Sequence, residues 1–354
     1  MKIAVLVHRL EEGDAQAELI WLDGSAGRVL KSLPVPFYSN IGIVPEHDCL
    51  LVAYTEYPDD SPAHEWLDIY GLTDWKLKVH LETDNRAHFN VTSWSTFISY
   101  PHKPLVYVYS SRTLGHHLAE DYISVLDLSS SQFAPGNFTL PDCVAGWSAS
   151  GGSARAQMLF VADGLTVGRL PSDDLDQKVA FWLGPEEGMG PCVSVGPRPR
   201  MHSELGHARA ILFAPGKQLS VVVSTDGAVH LIDPVAFRYV ERQQVVCKRG
   251  FGMPIFAAQL DPQGRLLYVG LSLEDARRVG VTERIVVHDL ELDKKITEFV
   301  LDEPLIHFAL SPDGNCLCGA GVESNRVHVI NSHTGKIEST ILVPGSAQFL
   351  IPSH

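Results

Sequence analysis

The sequence predicts an all-β fold, a seven-bladed β-propeller of four-stranded antiparallel blades, and three observations predict it. A phrase of an apolar residue, a proline turn and a strand recurs: VPEHDCLLVAY from Val44, YPHKPLVYVY from Tyr100, APGKQLSVVV from Ala214, DPQGRLLYVG from Asp261 and SPDGNCLCGA from Ser311. Its prolines, Pro45, Pro101, Pro215, Pro262 and Pro312, are one or two periods of roughly 50 residues apart, the spacing of propeller blades. A second phrase, an alternating strand that ends in a small or acidic turn residue, begins at Glu18, Glu65, Asp121, Asp163, Asp226, Glu283 and Asn325. Period-two alternation bounded by Gly, Asp and Asn is the signature of strands, and amphipathic helical periodicity is nearly absent.

These seven strands count seven blades in a single domain over residues 1–354. The first blade begins with KIAVLVH, which reads as its second strand, so its innermost strand must come from elsewhere. The segment Ala347 to Pro352 near the C-terminus supplies it and leaves no open edge between the first and last blades. In such blades the turns PEHD, DPQG, SPDG and SHTGK lie on one face. The long connections Tyr57 to Glu65, Ser110 to Asp121, Gly184 to Gly206 and Ser272 to Glu283 lie on the other, where a rigid scaffold carries its binding groups.

Composition narrows the function. Of 354 residues, 45% are hydrophobic and 20% charged, enough for a sizeable core. A formal net charge of -14 without a basic stripe opposes a phosphate backbone and argues against nucleic acid. No apolar run reaches the ~18 to 20 residues that span a bilayer, and MKIAVLVHRLEEGD reads as a first strand and not as a secretion signal. The six cysteines lack metal-type spacing, and the expected setting is reducing and cytoplasmic.

Several clusters are candidates for chemistry, each with a plainer reading beside it. MHSELGH places His202 and His207 near Glu204, as metal ligands or a general base at the channel mouth, or as a loop entering the next blade. The pair His116 and His117, with Arg112, Glu120 and Asp121, fits a metal or cationic substrate, and equally a solvated loop. NRAHFN brings Arg86 as an anion clamp and His88 as a proton carrier to the start of an innermost strand bearing Trp94, or else simply caps that strand. CKRGFG presents Lys248, Arg249 and Phe251 at another channel mouth, where cations hold a carboxylate. His307 completes the set of channel-lining candidates with His88, His202 and His207. No nucleophile elbow, phosphate loop, dinucleotide fingerprint or calcium loop is present, and no metal site is predicted.

The segments HEWLDIYGLTDWKLKVHLETDNRAHFNVTSWSTFISYPHKPLVYVYS from His64, LPDCVAGWSASGGSARAQMLFVADGLTVGRL from Leu140, and ERIVVHDLELDKK onward from Glu283 resemble the methylamine and aromatic amine dehydrogenase heavy chain family, YVTN-like propellers. The resemblance covers most of the chain beyond Phe37 and implies a heavy chain that holds a small light chain. In the family that light chain carries a tryptophan-derived quinone that oxidises primary amines; this chain itself is expected to hold no cofactor. It also implies that Tyr38 walls an amine channel. Two departures stand out: the missing export signal, and the loss near Val161 and Ala162 of the cysteine that pairs with the family's counterpart of Cys143. Two functions follow as expectations. One is a scaffold or partner-binding subunit in amine metabolism, meeting a light-chain-like protein or a second copy through the long-loop face. The other is a stand-alone biosynthetic enzyme with a small amine- or amino-acid-derived substrate in the channel.

Overall fold

The computed structural model describes residues 1–11, 14–24, 26–37, 39–56, 64–82, 97–99, 104–115, 118–133, 138–139, 157–161, 164–169, 180–183, 193–194, 208–214, 219–224, 227–233, 238–245, 255–272, 281–322 and 324–353. Among them every regular element is a strand, apart from one 3-10 turn at Pro45–His47. The chain divides into two compact units: Met1–Pro34 with Leu170–Phe181 and Val193–His354, and Val35–Arg169 with Trp182–Cys192. No helix among the described residues is long and apolar enough to cross a membrane.

The first unit starts with β1 (Lys2–Glu11), β2 (Asp14–Asp23) and β3 (Arg28–Val35). The C-terminal strand, β28 (Ser346–Ser353), pairs antiparallel with β1 from Lys2↔Ser353 to His8↔Ser346, giving the order β28-β1-β2-β3. This is the pairing that the apolar run Ala347 to Pro352 predicts. The unit continues with β17 (Ala208–Ala214), β18 (Leu219–Ser224), β19 (Ala228–Asp233) and β20 (Arg238–Gln244) as one meander. A second meander runs through β21 (Ile255–Leu260), β22 (Leu266–Leu271), β23 (Thr282–Asp289), β24 (Lys294–Leu310), β25 (Cys316–Gly321), β26 (Arg326–Asn331) and β27 (Ile337–Leu342). The 17-residue β24 serves twice: its first half pairs with β23 and its second half with β25. In this unit Ala180 and Phe181, the first two residues of β15 (Ala180–Leu183), also meet β16 (Val193–Ser194).

The second unit holds β4 (Asn40–Val44), β5 (Cys49–Glu56), β6 (His64–Gly71) and β7 (Leu77–Glu82) in that order. Next come β8 (Phe97–Ser99), β9 (Leu105–Gly115) and β10 (Leu118–Asp127), with β11 (Gln132–Phe133) and β12 (Phe138–Thr139) both pairing β10. A hairpin of β13 (Gln157–Val161) and β14 (Gly164–Arg169) follows. The predicted long connection Ser110 to Asp121 is corrected here. Ser110 to Gly115 continue β9, and Leu118 to Asp121 open β10, in one extended hairpin. Its polar residues read as a loop, yet backbone pairing satisfies a hairpin whatever its side chains present to water. The predicted connection Gly184 to Gly206 is likewise interrupted by the strand Val193–Ser194, and most of the remaining long-connection residues lie outside the described residues.

Apolar residues on both faces of the inner strands put a core between successive sheets. Val221, Val223 and Val229 pack with Leu267, Val269 and Val286; Tyr268, Ile285 and Val287 pack with Leu305, Phe308 and Ile330. Cys318, Val327 and Ile341 pack with Ile3, Val5 and Ile20, and in the second unit Leu51, Leu67 and Ile69 pack with Val106, Val108 and Leu126. Such strands are buried on both faces: Cys49 to Tyr54 are all covered. Each fully buried aliphatic or aromatic side chain contributes roughly 1.5 to 3 kcal/mol. Fourth strands are exposed instead, as in β3 and β7, and carry Lys31 and Lys78, which discourage edge-to-edge association.

The link between third and fourth strands repeats in its backbone as well as its sequence. A residue in the left-handed region occupies the same place in five of these turns, at Gly27, Trp75, Ser131, Asp293 and Gly335. An Asx side chain opens four of them: Asp23, Asp127, Asp289 and Asn331 accept backbone N–H bonds from within the turn. Three residues after Trp75, Asp293 and Gly335, one extra residue bulges from the fourth strand: Lys78, Ile296 and Glu338, matched in β20 by Val240.

Glycine is required to different degrees at two of these turns. A methyl at Gly27 would meet only Ile341, at 4.0 Å, whereas one at Gly335 would run into the Phe299 ring. Gly27→Ala is therefore expected to cost about 1 kcal/mol, from left-handed strain alone, and Gly335→Ala roughly 2 to 4 kcal/mol. Urea denaturation of both variants measures the difference; equal losses would refute the steric assignment.

Candidate functional site

One face of β5, β6 and β7 gathers the densest set of polar and aromatic side chains among the described residues. Alternation on β6 puts His64, Trp66, Asp68 and Tyr70 on the same face, and the register sets Tyr54 opposite Trp66, His80 opposite Asp68 and Glu82 opposite Trp66. Asp68, almost fully buried, is the hub. It accepts a bond from the Tyr70 hydroxyl at 3.1 Å, from His80 Nδ1 at 2.6 Å, and from the Tyr54 hydroxyl. Since a carboxylate only accepts, His80 presents Nδ1–H to it.

Above this hub the rings stack. His80 lies 4.3 Å from Trp66 between centroids, 18° from parallel, and His64 lies 6.1 Å away at 21°. Glu56 accepts the indole N–H at 3.0 Å, and Glu82 meets His64 Nδ1 at 2.9 Å. Burial, and then the Asp68 charge, push the Tyr70 phenol up to about 12, and the same two causes raise Tyr54 further. Both phenols stay protonated at neutral pH and act as fixed donors. The arrangement locks three strands and displays a half-exposed imidazole on a rigid indole.

In the first unit a second cluster joins β24, β26 and β27. His328 receives a contact from Thr340 Oγ1 at its Nδ1 and from Glu303 at its Nε2, both at 3.0 Å. Arg326 reaches Glu303 at 3.5 Å. Burial opposes ionisation of Glu303, yet the Ser324 hydroxyl, His328 and Arg326 together outweigh it and hold the carboxyl below its usual range. Gly321 makes room, since a methyl there would collide with Ser324 and Glu303. A third cluster bridges two sheets: Gln243 on β20 donates to the Leu290 carbonyl at 2.8 Å and meets His288 Nε2 at 3.2 Å.

Of the candidates drawn from sequence, Arg112 lies on β9 opposite Glu120 on β10, with Asp121 next along β10, and His307 lies on β24. His307 stands opposite Ala320, buried, and burial depresses its imidazole to about 4, so it is neutral at pH 7. Tyr38, Arg86, His88, Trp94, His202, His207, Arg249 and Phe251 lie outside the described residues, as do His116 and His117. Among the described residues no three His, Cys, Asp or Glu side chains are grouped to hold a metal. The Asp68 hub was missed because HEWLDIYG reads as an ordinary alternating strand. The signal was there: every residue on its polar face is aromatic, imidazole or acidic, and VHLE on the next strand repeats that chemistry.

Two solved structures share this architecture. One is a protein from Bacteroides uniformis provisionally assigned as a 6-phosphogluconolactonase, 14% identical, with 99% of each chain covered and a TM-score of 0.64. The other is the β-propeller domain of Myceliophteria thermophila Cps50 (Swd1), 10% identical, with 88% of each chain covered and a TM-score of 0.54. At these identities the likeness is one of fold, and the chain shares its fold with β-propellers. No family model and no curated protein sequence matches the chain.

Two pH windows follow. A phenol raised in the folded state favours folding below the unfolded value of ~10 and loses that contribution as pH rises towards 12, so alkaline unfolding should begin above pH ~10. Asp68→Asn is expected to bring the phenol titration down and to lower stability by about 2 kcal/mol, read by tyrosinate absorbance and urea melts. His307 has the opposite sign: its contribution is present above ~6.5 and is lost as pH falls towards 4. His307→Gln should flatten the acid limb of a stability-versus-pH curve; an unchanged limb would remove His307 as its source.

Proposed function

We propose that this chain is a seven-bladed propeller of the amine dehydrogenase heavy-chain type, acting as a scaffold or partner-binding subunit in cytoplasmic amine metabolism. The count of seven is supported by β24: taken as an outer strand followed by an inner one, it resolves the strands into seven successive groups of four, β12 continuing β11. The observation that carries the scaffold reading is the use made of polar groups. Asp68 ties β5, β6 and β7 together, Gln243 ties two sheets, and Asx turns lead into four of the fourth strands. Chemistry placed this way builds a stiff frame whose loops are free to differ.

The partner proposed is a small light-chain-like protein that carries the tryptophan-derived quinone; this chain holds the substrate channel and walls it off. A cytoplasmic setting is supported by Cys49, Cys316 and Cys318, all free thiols. The -14 formal charge suits a cationic amine, which a negative field concentrates. The alternative, a stand-alone enzyme for a small amine-derived substrate, rests on residues around Arg86 to Trp94, His202 to His207 and Arg249.

Native purification distinguishes the two. The chain is expected to co-purify in a fixed 1:1 ratio with a smaller subunit that stains by quinone redox cycling, and neither part alone should reduce an artificial electron acceptor when given primary amines. A monomeric chain that turns over amines by itself would overturn the scaffold reading.

A further inference from the structure

The cluster at Thr340 has a geometry that interstrand pinning does not require. Thr340 and His328 stand directly opposite each other on β27 and β26, and Glu303 approaches the far side of the same imidazole. An ionised carboxylate only accepts, so Glu303 fixes the proton on Nε2 and leaves the Nδ1 lone pair pointing at the Thr340 hydroxyl. That hydroxyl donates to Nδ1 at 3.0 Å, within the reach of a general base. The imidazole is 4% exposed while Thr340 is on the exposed strand: a shielded base beneath an accessible hydroxyl. Arg326, two residues before His328 on the same face and diagonal to Thr340, pairs with Glu303 at 3.5 Å and helps keep that carboxylate ionised beside the imidazole.

We propose that Thr340 is an activated nucleophile that accepts an acyl group from an activated ester or thioester. The Thr340 Oγ–carbon bond forms and the bond to the leaving oxygen or sulfur breaks. The hydroxyl proton passes to His328 Nδ1 and from there to the leaving group. The product is an O-acyl threonine with no change of oxidation state, and water reverses it by the same relay. Thr340 and His328 touch the reacting atoms; Glu303 is a positioning residue. The arrangement follows the logic of a hydroxyl, imidazole and carboxylate triad, with the two ring nitrogens in exchanged roles. It stands independently of any role in amine metabolism.

The test is acylation of the full chain by p-nitrophenyl acetate, mapped by peptide mass spectrometry. Thr334, in the exposed turn before β27, accepts the Lys336 N–H with its hydroxyl and is the internal control. Thr340 is expected to acquire the acetyl group roughly 100-fold faster than Thr334, the scale of general-base assistance. The rate should rise with pH to a plateau, as a neutral imidazole base requires, whereas an unassisted hydroxyl climbs steadily with hydroxide. Thr340→Ser should keep the label, and Thr340→Val and His328→Gln should lose it. If the buried His328→Gln variant fails to fold, Glu303→Gln with an unchanged melting temperature reads the same relay through a rate drop of about tenfold or more. Labelling of Thr340 no faster than Thr334, or undiminished in folded His328→Gln or Glu303→Gln, would overturn the proposal.

Discussion

The structure depends on the turn between third and fourth strands of a sheet, where one left-handed residue and one bulge act together. A side chain in a strand points to alternate faces, so a slip of one residue would turn every core position outwards. Asn331, with Gly335 behind it, closes its turn by an Asx cap and a backbone bond at 2.9 Å, and the bulge at Glu338 then absorbs the odd residue. The same device at Asp293 and Ile296 sets β24 against β23, and at Trp75 and Lys78 it sets β7 against β6. Only because that offset is held does Asp68 face His80 and His328 face Thr340. Local backbone chemistry thus fixes which polar groups meet.

Each polar cluster also reflects a balance between burial and pairing. Asp68 is buried among two phenols and an imidazole, so its charge is met by donors, whereas an isolated buried carboxylate would cost several kcal/mol. Arg265 does the same for the buried Asp289 with its Nε at 2.8 Å, and the pairing holds that carboxyl below its ordinary range. His307 follows the other course and gives up its charge to burial. Neutralising or pairing are the two ways a sheet interior admits a titratable group, and both occur here.

Much of the frame was legible in the sequence because strands and turns write local patterns. The proline phrases, the Asn and Asp turn openings and the apolar run at Ala347 each report backbone geometry over a few residues. The C-terminal pairing was legible for the same reason: an apolar strand without a partner needed one. The Asp68 and His328 clusters were not, because they depend on register across strands 12 residues apart, and on Glu303 25 residues from its histidine. The Ser110 to Asp121 segment misled in the other direction, since polar side chains describe what faces water and not whether the backbone is paired.

The double service of β24 has a thermodynamic consequence. Its seventeen residues run without interruption from the edge of one sheet into the interior of the next. Where a loop joins two sheets, either can fray while the other stays closed. Here Leu305 belongs to both ladders, opposite Thr282 in one and Gly321 in the other, so opening β23 from β24 strains the register of β24 on β25. These two sheets form one cooperative opening unit, and amide protons from Thr282 to Asn331 should share a single protection free energy well above that of the fraying outer edges.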